Sequence, residues 1–137
     1  MSNRKVFDQF FADLGDLKIE AALAAFADDG YYHDMPVVTD PAVGRDAIRA
    51  KLQFLTAAQR IEFRFTSVVE AGDLILAERV EVWHFSTGET PSLPVMCAMK
   101  FAGGKIAGWR EYWDLQTLMS QMPASFLDLI SAARSRA

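Results

Sequence analysis

From Arg60 to Asp114 the chain alternates between apolar and polar positions, interrupted only at Ala71-Gly72-Asp73, Ser86–Pro91 and Ala102-Gly103-Gly104. Period-two patterning broken by glycine-bearing turns specifies consecutive antiparallel strands. The expected strands are about Arg60–Glu70, Leu74–Phe85, Leu93–Phe101 and Lys105–Asp114. Strands this long twist and curve, so the concave side of their sheet needs helices or loops to cover it. This meander limits the chain to an α+β class in which whatever precedes it packs into the curve.

The second strand is the most informative. Successive side chains point to opposite faces, so Arg79 and Glu81 share a face with the apolar Ile75, Ala77, Trp83 and Phe85. The other face carries Leu74, Leu76, Glu78, Val80, Val82 and His84, so both sides are expected to be covered. An arginine–carboxylate pair inside an apolar face is either a structural ion pair or part of a site, because both arrangements perturb charge states. In the third strand Leu93, Val95, Cys97, Met99 and Phe101 form a wholly apolar face, expected to line the interior.

The preceding residues supply the cover. Lys5–Leu14 places Val6, Phe7, Phe10, Phe11 and Leu14 at helical spacing, and Gly15 ends that helix. Asp16 is placed to cap a second helix with Ile19, Ala22, Leu23 and Phe26 on one side. Tyr31–Met35 reads as a short strand with Tyr32 and Asp34 on one face and His33 on the other, and Pro36–Val43 as a loop. Gly44 opens a third helix that buries Ile48, Leu52 and Leu55. After Asp114 a short helix, about Leu115–Gln121, precedes a terminal helix opened by Ser125-Phe126-Leu127-Asp128 as a capping box. Arg134 and Arg136 sit where cations suit that helix's dipole, and the tail is expected to close a pocket or cover a partner.

At 137 residues, 1–137 fits a single domain able to bury one core. No stretch approaches the ~20 apolar residues of a membrane span, and Asp8 follows the first basic residues too soon for a signal peptide. A formal charge of -4 argues against a nucleic-acid partner. Cys97 is the single cysteine, which removes any intrachain disulfide and makes a cytoplasmic location the expectation. With only His33 and His84 beside it, no metal-ligand spacing arises, so neither metal nor other cofactor is expected.

Four segments together carry a family resemblance: Tyr32-His33-Asp34-Met35-Pro36, Val43-Gly44-Arg45-Asp46-Ala47-Ile48, Glu78-Arg79-Val80-Glu81-Val82, and Gly103 through Leu115. In order and spacing they resemble limonene-1,2-epoxide hydrolase, within the nuclear transport factor 2-like superfamily that also holds ketosteroid isomerases and SnoaL-like cyclases. The resemblance implies a cone-shaped, cystatin-like curved antiparallel sheet closed by N-terminal helices around an apolar pocket. It also implies one-step epoxide opening by water, without metal or covalent intermediate. On that footing Asp114 matches the general base, Tyr32 the hydroxyl that holds the water, and Arg79 the arginine bridging two acids. Glu81 falls where the family has an aspartic acid that protonates the epoxide oxygen, and Asp34 where it has an asparagine.

These last two positions depart from the family. The extra methylene of Glu81 changes its reach, and misplacement by about 1 Å costs on the order of a hundredfold in rate. Asparagine both donates and accepts, whereas an ionised Asp34 only accepts. Asp34, Glu81 and Asp114 converging on Arg79 would leave two uncompensated charges, so one carboxyl, Glu81 or Asp34, is expected to be neutral near pH 7 in a coupled titration. Used differently, Asp34 suits the proton-shuttling base of a ketosteroid isomerase, or of a SnoaL-like cyclase. A third reading is a non-catalytic module that binds an apolar ligand. In each case the partner is a small apolar molecule, with Trp83, Leu93, Val95, Cys97 and Met99 as pocket wall. Trp109 and Trp113, on the face opposite Arg110, Tyr112 and Asp114, are expected with Leu74, Val80 and Val82 at a homodimer interface, Glu78 at its rim. Cys97 is read as a core residue rather than a nucleophile.

Overall fold

Ser2 starts the first helix by accepting a hydrogen bond from the Lys5 amide at 3.2 Å, so α1 runs Asn3–Gly15, two residues earlier than hydrophobic spacing alone indicates. The computed structural model of the chain describes residues 1–37 and 41–135, with side chains as far as 132. Asp40 of the expected loop, Arg136 and the Arg134 side chain lie outside the described residues. Asp16 follows α1 as its C-cap instead of opening the next helix. Leu17 takes a left-handed conformation (φ 59°), the Lys18 amide returns to the Asp13 carbonyl at 2.8 Å, and α2 (Ile19–Ala24) begins after Lys18. Gly15 is set by packing: a Cβ there would lie 2.7 Å from the Ile61 carbonyl oxygen.

Phe26, expected at the end of the second helix, instead begins β1 (Phe26–Asp34) and stays fully buried. The loop beyond it contains a two-residue strand, β2 (Ala42–Val43), followed by α3 (Arg45–Leu52) and a 3₁₀ turn (Gln53–Ala57). The meander follows as β3 (Arg60–Ala71), β4 (Leu74–His84), β5 (Ser92–Ala102) and β6 (Lys105–Tyr112). The six strands form one curved, unclosed sheet in the order β2-β1-β6-β5-β4-β3, antiparallel except for β1 beside β6. Last come α4 (Leu115–Met119) and α5 (Ala124–Ser135). Ser125 lies inside α5, one residue past its start, so the expected capping box is displaced.

Two apolar clusters fill the concavity. Phe7, Phe10, Phe11 and Leu14 of α1 meet Ile75, Ala77, Cys97, Met99 and Trp109 of the sheet. At the other end Trp83, Phe85, Leu93 and Val95 meet Leu118, Met122 and Phe126 of the tail. On β4 the boundary between the clusters falls at Arg79 and Glu81. The outward face of β4 is less covered than its pattern suggests: Leu76 is 42% exposed and Glu78 is exposed. No described helix is long and apolar enough to cross a membrane.

Candidate active site

Arg79 is the centre of the site. It leaves β4 toward the concave side and is 1% exposed. Nη1 donates to Glu111 Oε2 at 2.9 Å, Nη2 donates to Glu81 Oε2 at 3.0 Å, and Nη2 also donates to Glu111 Oε1. Because β5 lies between β4 and β6, this bridge passes over β5 near Cys97, whose register partners are Ala77 and Glu111. Phe11 and Phe63 close over the guanidinium, with ring centres 5.1 and 5.2 Å from it.

The second acid of this network is Glu111, not Asp114. Asp114 lies past the end of β6 and caps α4, accepting from the Thr117 amide at 2.8 Å and the Thr117 hydroxyl at 2.6 Å. It is exposed and absent from the cavity wall, and those hydrogen bonds hold its carboxyl below the usual range. The cause of the exchange is a register shift in the β5–β6 pairing, where Lys100 faces Gly108 but Phe101 faces Ile106. The bulge reverses which alternate residues point inward, so Ile106 is followed on the inner face by Trp109 and Glu111. Gly108 turns outward against Tyr31, whose ring would stand 2.4 Å from an added Cβ. Trp109 and Trp113, expected at a subunit contact, line the cavity for the same reason.

Beside the bridge stands a second hydrogen-bonded unit. β1 runs parallel to β6 with Tyr32 opposite Trp109 and Asp34 opposite Glu111. The Tyr32 and Trp109 rings stack at 4.2 Å. The Tyr32 hydroxyl donates to Asp34 Oδ2 at 3.0 Å, and Trp113 Nε1 donates to Oδ1 at 2.6 Å. Both Asp34 oxygens thus act as acceptors, and Asp34 does not present the donor that asparagine would.

These groups line one cavity of about 540 Å³, within the size range of small-molecule sites. Leu14, Leu52, Phe54, Leu93, Leu118 and Phe126 supply much of its apolar wall, and the terminal helix closes it through Phe126, Leu127 and Ile130. Trp83 and Leu93 border it as expected. Val95, Cys97 and Met99 are buried but do not border it. The Arg79–Glu111 bridge runs above Cys97, and Met99 packs in the cluster of α1 phenylalanines.

The charged residues on the wall are Asp34, Glu81, Glu111, Arg79 and Lys51. Burial pushes the Glu111 carboxyl up to about 7, against the opposing influence of Arg79. Burial likewise raises Asp34, although Trp113 and Tyr32 hydrogen bonds oppose it, and raises the Tyr32 phenol well above its ordinary value. For Arg79 burial acts downward, but the Glu111 and Glu81 charges outweigh it and keep the guanidinium protonated. Burial, reinforced by Glu111, pushes the Cys97 thiol up to about 12, which suits a core residue and not a nucleophile.

Two charged wall residues escaped the sequence reading. Glu111 had a signal, since Trp109, Glu111 and Trp113 alternate as an aromatic face around one acid. Lys51 had a weaker one: it falls three residues after the buried Ile48, on the covered side of α3.

A family model described as the SnoaL-like domain matches residues 7–109. Among solved structures, the chain is similar to an LEH-like epoxide hydrolase from M. tuberculosis. That match has TM-score 0.71 and 18% identity, covering 93% of this chain and 94% of the other. It is also similar to a putative SnoaL-like polyketide cyclase from Shewanella putrefaciens, with TM-score 0.77 and 13% identity over 88% and 86% of the two chains. A third match is a Catenulispora acidiphila protein with a ketosteroid isomerase-like fold, solved with trimethylamine. There the TM-score is 0.74 and the identity 22%, covering 88% and 95% of the two chains. At these identities the structural likeness establishes the fold.

Proposed function

The chain belongs to the SnoaL-like domain family, and from that premise we propose that it adds water to a small apolar epoxide in one step. The observation that carries this reading is Arg79 bridging two buried carboxyl groups at the wall of an apolar cavity. Glu111 is the base: it takes a proton from water as the water oxygen bonds to an epoxide carbon. Glu81 is the acid, giving its proton to the epoxide oxygen as the carbon–oxygen bond breaks. The Glu81–Glu111 pair holds one proton before and after reaction. Turnover moves that proton from Glu81 to Glu111, and its return resets the site. Arg79 keeps the charge of the pair compensated in both states. Tyr32, whose O–H donates to Asp34, offers its oxygen lone pairs to the second water hydrogen, which orients the nucleophile.

Two tests bear on this reading. Purified protein is incubated with apolar epoxides in ¹⁸O-labelled water under single-turnover conditions, and the products are read by mass spectrometry. Diol carrying the label, with none in the protein, supports direct hydration; no diol from folded protein refutes it. A second reading rests on the raised Asp34 in the same cavity, a placement suited to moving a proton between carbons of an enolisable ketone. Under that reading isomerisation is abolished by Asp34→Asn and survives Glu111→Gln. The homodimer expectation also remains a proposal, supported by exposed apolar residues on the sheet's outer face: Leu76, Met96 and Tyr112 are 42%, 45% and 44% exposed.

A further inference from the structure

Lys51 is the one cavity-lining charge that the proposed hydration leaves unused. Its Nζ is buried and has no hydrogen-bond partner among the described residues. It lies 5.6 Å from the centre of the Tyr32 ring and enters the cavity from α3, whereas Arg79, Glu81 and Glu111 enter from the sheet. A buried ammonium without an acceptor is costly, so an acceptor at this point of the wall is favoured strongly. Trp109 Nε1 is likewise buried and unpartnered, and Trp109 borders the same cavity. From this pairing of an apolar wall with unused donors we infer that Lys51 binds a neutral oxygen acceptor of the ligand, such as a ketone carbonyl, distinct from the oxygen that reacts at Glu81.

The charge on the wall selects the kind of acceptor. With one proton on the Glu81–Glu111 pair, that pair and Asp34 carry two negative charges already balanced by Arg79 and Lys51, so a full anion would add uncompensated charge and meet repulsion from the carboxylates. A neutral carbonyl accepts from Lys51 without adding to that repulsion. The preferred ligand is therefore an apolar skeleton carrying an oxygen at each end, one toward Lys51 and one toward the Arg79 bridge. The inference rests on the cavity being the substrate site, as proposed above, but not on which reaction occurs there.

Binding tests it apart from turnover. The chain's three tryptophans, Trp83, Trp109 and Trp113, all border the cavity, so intrinsic fluorescence reports occupancy directly. Wild type and Lys51→Met are titrated with 2-tetralone and with tetralin, which share a skeleton and differ in the carbonyl. The expected result is that Lys51→Met weakens 2-tetralone about tenfold, the order set by a hydrogen bond from a charged donor, and leaves tetralin unchanged. Equal losses for both probes mean that Lys51 contributes packing only, and no loss for either means that its ammonium is satisfied by water; both overturn the inference. Failure of both probes to perturb the tryptophans at millimolar concentration overturns the cavity as a binding site, and this inference with it.

Discussion

Replacing Arg79 by methionine keeps much of the side-chain length and removes the one cation that touches both Glu81 and Glu111. At 1% exposure Arg79 has no solvent to take its place, and it donates three hydrogen bonds to the two acids. Breaking a buried pair of this kind costs about 3–5 kcal/mol, because the surviving charges are left uncompensated. The cost depends on pH, and its sign follows from Glu111. In the wild type burial raises that carboxyl from 4.5 to about 7. Its contribution to stability is therefore complete below about 4.5 and is lost as pH rises through about 7, a loss of about 3 kcal/mol at 1.36 kcal/mol per pH unit. Arg79 opposes this rise, so without it the folded-state value climbs further and the loss extends to higher pH. At pH 5, below its raised value, the Glu111 carboxyl of the variant is protonated and the penalty is smaller; at pH 8 it approaches the full figure. Urea unfolding at the two pH values, followed by tryptophan fluorescence, measures the difference. A penalty under about 1 kcal/mol at pH 8, or one equal at both pH values, refutes the description of Arg79 as the counter-charge of two buried carboxyls.

Three further outcomes follow from the same geometry. Since the reactive form of the Glu81–Glu111 pair holds one proton, and that proton is lost as pH rises through about 7, kcat/KM on an epoxide falls above about 7, and this limb moves upward in any variant with residual activity that lacks Arg79. Gly15→Ala drives a Cβ to 2.7 Å from the Ile61 carbonyl oxygen and destabilises the fold by about 1–3 kcal/mol, read as a lower urea midpoint with an unchanged slope. If the exposed outer face joins two copies, the pair Leu76→Asp and Met96→Asp shifts the protein to monomer in sedimentation velocity without unfolding it.

Period-two alternation made the meander legible because each strand has one face that must be buried, and the strand ends fall within a few residues of the expected ones. The same logic placed Arg79 and Glu81 together and put Tyr32 with Asp34, since those pairs are two residues apart on one strand. It misplaced the acid of the last strand for a physical reason: one extra residue at the bulge inverts the inward phase, exchanging Glu111 and both tryptophans for Arg110, Tyr112 and Asp114. Alternation identifies which residues share a face, and only the neighbouring strand determines which face is inside. Local chemistry also competed with pattern at Asp16 and Asp114. Each is a good cap by residue type, and the structure uses Asp16 to finish a helix and Asp114 to start one. The parallel pairing of β1 with β6, which brings Asp34 opposite Glu111, joins segments far apart in the chain and leaves no local signal.

The central claim is that Glu111, bridged to Glu81 by Arg79, is the base of a water addition. It is tested most directly by Glu111→Gln and Asp114→Asn measured side by side for diol formation from an apolar epoxide, with folding checked by fluorescence. The account predicts that Glu111→Gln loses at least a hundredfold in kcat, the contribution expected of a general base, whereas Asp114→Asn, changed at an exposed helix cap, stays within a few-fold of wild type. Activity retained in Glu111→Gln and lost in Asp114→Asn contradicts it.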